Sequence, residues 1–250
     1  MKSARPLLLA FGLALASGGS LSVMAQVANA DKDAIMTSDG FLSFHPDLRH
    51  RLSGLGDYRK QNYAEAFASF KRAARFADKP SQGMVAEMLW SGLGVEADRA
   101  SAYVWMDLAA ERGYRMMLVK REHYWAGLSE AERARALEIG DAIYLEYADK
   151  YAKPRLEQRL RQARARMTGS RTGFVGSLVI EIPTPSGSRS IDGSTYYKDE
   201  YWKPAQYWRM QDSDWKDFGE GSVEIGELQS VGGLTVPGDS AEDDNDKAPH

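Results

Sequence analysis

The 250-residue chain has room for one or two domains and a sizeable apolar core. It carries a formal charge of −3 with a pI near 5.9 and contains no cysteine. That balance excludes a general nucleic-acid binder, which is usually basic. The missing thiols exclude disulfides, cysteine nucleophiles and thiolate metal sites.

In chain order, Lys2 and Arg5 come first, around the start of a short apolar run, Pro6 to Ala16, which small residues follow. Residues 1–30 therefore read as a secretory signal, with small-x-small sites ending at Ala25 and Ala30. The run is shorter than the roughly 20 apolar residues a membrane span needs. The expected destination is the periplasm of a Gram-negative bacterium, with secretion beyond it as the second choice. Residues 31–46 read as a flexible lead-in.

From Asp47 the pattern turns helical. Leu48, Leu52 and Leu55 recur at spacings of four and three. A corner at Gln61-Asn62 precedes a helix from about Tyr63, with Ala66, Phe70 and Ala73 on its face and Pro80 ending the unit. Shifting Ala66, Phe67, Ala73 and Ala74 by 36 positions lands on Ala102, Tyr103, Ala109 and Ala110. A period in the thirties with this small-and-aromatic spacing predicts stacked helical hairpins. Ser129 and Glu132 form a capping-box signature for a further helix. Pro154 predicts a boundary there, because proline suits a first turn.

The helix from Pro154 to Met167 carries an apolar stripe and a basic remainder with Arg155, Arg159, Arg161, Arg164 and Arg166. This reads as a capping helix, one face closing the stack and the other in water. After Thr168 the texture changes. Residues 174–182 are rich in β-formers, and residues 196–218 hold Tyr196, Tyr197, Tyr201, Trp202, Tyr207, Trp208, Trp215 and Phe218. Residues 169–234 are expected to form a small, partly β, aromatic-rich module. Residues 235–250 are expected to be a disordered acidic tail.

Residues 47–126 resemble Sel1-like repeats, relatives of the tetratricopeptide repeats. The match is carried by Ala86, the Gly92-Leu93-Gly94-Val95 corner, Asp98, Ala102, Trp105, Ala109, Ala110 and Gly113. The earlier unit, with Tyr58, Tyr63, Ala66, Phe70 and Ala73, is closer to the tetratricopeptide form. The resemblance implies a mainly α fold, a short right-handed α/α solenoid whose concave surface contacts another protein, and a structural Trp105 packed inside. Only two units are clear, and the C-terminal 80 or so residues lie outside the pattern.

Catalytic strings are incomplete. Gly127-Leu128-Ser129 lacks the second glycine of a nucleophile elbow, and Ser213 to Lys216 lacks the companion strings of a penicillin-binding enzyme. His45, His50, His123 and His250 have no metal-ligand spacing, and each Gly-x-Gly stands outside a dinucleotide fingerprint. No enzyme activity, cofactor or metal is expected. The function expected is an exported scaffold that binds a partner protein through its repeats. The candidate binding residues are Tyr103, Tyr124, Trp125, Arg155, Arg159, Trp202 and Trp208. Two alternatives stand beside it. The basic segment 150–171 offers fork-shaped contacts to anionic lipid or lipopolysaccharide phosphate. The C-terminal aromatics offer a platform for cell-wall or polysaccharide binding or hydrolysis.

Overall fold

The computed structural model describes residues 32–167, 178–184 and 187–216, all within one compact unit. The segments read from the sequence as a secretory signal and a disordered acidic tail lie outside the described residues. The described chain is mainly helical, with one two-stranded antiparallel sheet. After a helical stretch at 32–37 come α1 (Asp39–Leu42), α2 (Pro46–Arg59), α3 (Tyr63–Ala74), α4 (Lys79–Ser91), α5 (Arg99–Ala110), α6 (Arg115–Gly127), α7 (Glu130–Tyr147) and α8 (Asp149–Met167). Then follow β1 (Val179–Thr184), β2 (Gly187–Asp192), α9 (Gly193–Tyr196), α10 (Asp199–Trp202) and α11 (Pro204–Lys216).

Successive helices from α2 to α6 pack each on the next, and α5 also packs on α7. The faces that meet are built from small residues. Ala66, Ala73 and Ala74 on α3, and Ala102, Ala109 and Ala110 on α5, are all buried, as are Phe70 and Met106 at matching positions. Gly54 lets α2 sit directly on α3, since a Cβ there would come within 2.7 Å of the Phe70 ring. Trp105 is 4% exposed and lies 4.4 Å from the Tyr147 ring, so it joins α5 to α7.

The corners have local causes. Gly92 ends α4 in the left-handed conformation (φ 67°), with its N–H donating to the Met88 carbonyl. Gly94 (φ 73°) passes so close to Tyr63 that a Cβ would stand 2.3 Å from its carbonyl carbon. Asp98 caps α5 by accepting from the Ser101 N–H at 3.0 Å. At the start of α7 both halves of the capping box are formed, Ser129 Oγ accepting from the Glu132 N–H and Glu132 Oε2 from the Ser129 N–H. Ser129→Ala is expected to lower stability by about 1 kcal/mol. Thermal unfolding of the two chains checks it, and equal midpoints would show that the exposed cap contributes nothing.

Several boundaries differ from the sequence reading. The lead-in is structured: described residues from 32 to 46 are largely helical, with Ile35 and Phe41 fully buried. Their partners are Ile182, Ile191, Tyr201 and Trp202, too far along the chain for local pattern to reveal. Pro80 opens α4, in its first turn, where its missing N–H costs nothing. Pro154 lies inside α8, which starts at Asp149. The carbonyl it leaves unserved, that of Lys150, lies in the first turn, and Ala148 (ψ 153°) makes the break from α7 instead.

The segment read as a partly β module is more helical than β where described. Its hairpin pairs Ile180 with Ile191 and Ile182 with Arg189. Ile182 and Ile191 face the buried cluster that holds Phe41 and Trp202. Tyr207 and Trp208 pack against Ala152, Leu156 and Leu160 of α8. The segment therefore shares its core with α8 and the N-terminal helices rather than folding apart from them. No helix among the described residues is long and apolar enough to cross a membrane.

Candidate functional site

Two regions concentrate interaction chemistry. The first is a half-exposed aromatic patch where α5, α6 and α7 meet. Tyr103 and Trp125 lie 4.8 Å apart at 47°, both half-buried. The Arg133 guanidinium sits 5.1 Å over Trp125 while donating to the Trp125 carbonyl at 3.0 Å. Arg121 pairs with Asp107 at 3.3 Å on the same side of α5. The Tyr144 hydroxyl also donates to Asp107. Arg133 thus braces Trp125, and part of each ring's surface stays in water. Phe67, at the position 36 residues before Tyr103, is likewise half-buried.

The second region is a buried charge network where α4, α5 and α8 meet α11. Lys79, in the first turn of α4, is 1% exposed. Its ammonium donates to Glu111 at 2.7 Å, to the Leu108 carbonyl at 2.8 Å and to Gln82 at 3.0 Å, and stands 3.1 Å from Asp149. Burial lowers the Lys79 pKa despite the attraction of Asp149 and Glu111. Arg112 grips Asp149 through Nε at 2.7 Å and Nη2 at 3.0 Å, and donates to the Ala77 carbonyl at 2.9 Å. Burial raises Asp149, but the Arg112 bonds and the Lys79 charge outweigh it and hold the carboxyl well below the usual range. Asp212 of α11 accepts from Tyr114 at 2.6 Å and faces Arg112 at 3.4 Å. Arg112 also lies 4.8 Å from the Trp208 ring. The network is closed on itself, cation against anion, and its effect is to pin α11 to the helical body.

The other candidate residues are placed as follows. Tyr124 is buried, its ring stacked on Trp90 at 4.1 Å. Trp202 is 2% exposed and donates its indole N–H to the Tyr196 carbonyl at 2.7 Å. Trp208 is 8% exposed, with Arg112 on one side, Lys153 5.2 Å from its ring, and its N–H donating to Glu157. These three rings are packing elements and present no open face, contrary to the binding role expected for them. Arg155 is half-buried and donates to the Arg75 and Glu146 carbonyls, tying α8 to α7. Arg159 is exposed. Ala86 is buried, and Gly113 turns the chain after α5 with φ 77° and open space beside it.

Sequence reasoning missed Lys79, Arg112, Asp149 and Asp212, because each finds its partner far along the chain. One local signal existed. A lysine at a helix N-terminus opposes the helix dipole, and Lys79 does so without any nearby acid in the first turn. Among the described residues no group of His, Asp and Glu has the arrangement of a metal site. Comparisons with protein-family models, with curated proteins and with solved structures each found no match.

Proposed function

We propose that the chain is an exported protein-binding scaffold of the bacterial envelope. Its helices α2 to α7 form a short α/α solenoid of Sel1-like hairpins, and the partner lies across the face that carries Tyr103 and Trp125. The observation that carries this reading is that partly exposed aromatic pair, braced at Trp125 by Arg133. Tyrosine, tryptophan and arginine dominate interface hot spots, because rigid rings bury much area at little entropic cost. The buried alanines that repeat at 36 positions on α3 and α5 support the stacked-hairpin part of the reading. The charged start and apolar run of residues 1–30 support export.

The test is crosslinking in cells followed by mass spectrometry, comparing the native chain with Tyr103→Ala/Trp125→Ala. A specific partner is expected for the native chain. The double variant is expected to lose it, with affinity down by about 2 kcal/mol or more. Its thermal midpoint is expected to fall, since most of each ring is packed against the neighbouring helices, so the crosslinking is read at a temperature where both chains are folded. An unchanged set of crosslinked proteins would sink the reading. Sedimentation with insoluble peptidoglycan, or with anionic vesicles in a manner abolished by Arg159→Glu, would place recognition on a different class of partner. Mass measurement of the exported chain identifies cleavage after Ala25 or Ala30.

A further inference from the structure

The start of α2 holds the far end of the chain through two polar contacts. His45 is fully buried, with Nδ1 2.9 Å from the Phe41 carbonyl and Nε2 2.8 Å from the Tyr201 carbonyl. A neutral imidazole can donate to only one of them. Burial lowers its pKa to about 4, against the pull of both carbonyls. Two residues on, Asp47 is 2% exposed, and its Oδ2 accepts the Tyr207 hydroxyl at 2.5 Å. Its Oδ1 has no partner in the structure, nor has Nε2 of Gln211, one turn beyond Tyr207 on α11. Both residues line one small cleft of about 10 Å³, together with Asp78, Arg112 and Tyr114. That is about the room for a single water, which could take a bond from Gln211 and either give or accept one at Oδ1.

The charges around Asp47 are committed elsewhere. Arg51, on the same helix, pairs with Asp78 at 2.9 Å. Lys79 serves Glu111 and Asp149, Arg112 serves Asp149 and Asp212, and Tyr114 donates to Asp212. Asp78 adds negative charge beside Asp47. A charged Asp47 therefore has the Tyr207 bond, the Leu48 N–H and a shared Arg51 against full burial.

We propose that α11 is a detachable strap whose docking on α2 is governed by the proton on Asp47. A neutral Asp47 sits comfortably beneath Tyr207. An ionised one is better served by water, which it reaches when α11 lifts away. Burial first, then Asp78, raise the Asp47 pKa from 3.8 to about 7, while Tyr207, Arg51 and the Leu48 N–H pull the other way. An acid with a raised pKa in the docked form favours docking fully below its free value. That contribution falls as pH rises from about 4 and is lost above about 7. Each pKa unit is tenfold in the docking equilibrium, so the full swing is roughly a thousandfold.

Hydrogen exchange read by mass spectrometry on the full chain tests the proposal, with peptides of α11 compared with peptides of α3 in the same molecule. After correction for intrinsic exchange, protection of α11 relative to α3 is expected to fall at least tenfold between about pH 5 and pH 9. Asp47→Asn keeps an acceptor for Tyr207 and cannot ionise, so its ratio is expected to stay flat. Tyr207→Phe removes a bond that favours the ionised form, so its midpoint is expected to move upward. A flat ratio in the native chain would overturn the proposal. So would a native-like pH profile in Asp47→Asn, or, should that variant not fold, an unmoved midpoint in Tyr207→Phe.

Discussion

Arg112→Met is expected to lower the free energy of unfolding by about 3–5 kcal/mol, the cost of leaving a buried ion network without one member. Methionine keeps an unbranched apolar stem but not the guanidinium that lies 4.8 Å from the Trp208 ring, so that contact is lost. Also lost are the two-pronged hold on Asp149, the bond to the Ala77 carbonyl, and the contact with Asp212. Asp149 then keeps only Lys79 at 3.1 Å and Lys153 at 2.9 Å. Urea denaturation measures the change, and a loss below about 1 kcal/mol would mean that water replaces the guanidinium without penalty. Adding Asp149→Asn should cost less than the sum of the two single changes, because they share a partner. The pH response of this network runs opposite to that of Asp47. Asp149 is depressed in the fold, so its contribution is present above its free value near 4 and is lost only as the solution becomes strongly acidic.

Gly94→Ala is expected to cost about 2–4 kcal/mol, and Gly113→Ala only about 1 kcal/mol. Both glycines hold a positive φ, 73° and 77°. A side chain is strained at either position by roughly the same backbone term. Only Gly94 has a neighbour in the way, the Tyr63 backbone at 2.3 and 2.5 Å from the would-be Cβ. The difference between the two variants, read from chemical denaturation, therefore isolates the steric part. Equal losses would show that the corner can shift away from α3 at little cost. Gly94 is thus the residue that lets the corner after α4 rest on the start of α3.

Features set by neighbours within a few positions were legible from the sequence. The apolar face of Ala66, Phe70 and Ala73, the corner at Gly92 to Val95, and the cap at Ser129 all stand where residue type and spacing put them. Features set by distant partners were not. The polar-looking lead-in hides Ile35 and Phe41, whose burial depends on residues after 180. Pro154 misled because proline favours a first turn, whereas here α8 starts at Asp149 and runs on through it, leaving the Lys150 carbonyl without that donor. The aromatics from Tyr196 to Trp208 could have been core or surface on composition alone. What decides is that α8 and α1 supply the other half of their packing. In the candidate interface, Tyr103 and Trp125 were legible as large aromatics beside a repeat face. The role of Arg133 was not, since it returns from the following helix to cover Trp125.

The joining of the chain's two described ends also has a kinetic side. Helices α2 to α6 each find a partner in the next helix, so they can gather as soon as neighbours exist. His45 and Tyr201, by contrast, are 156 positions apart. Bringing such distant points together carries an entropy of loop closure that must be met before any contact repays it. The ring at Phe41 and the side chain at Ile35 therefore stand in water until the last stretch of the chain arrives. During that interval the early residues are a natural target for a holdase chaperone, and a seed for aggregation if none is at hand.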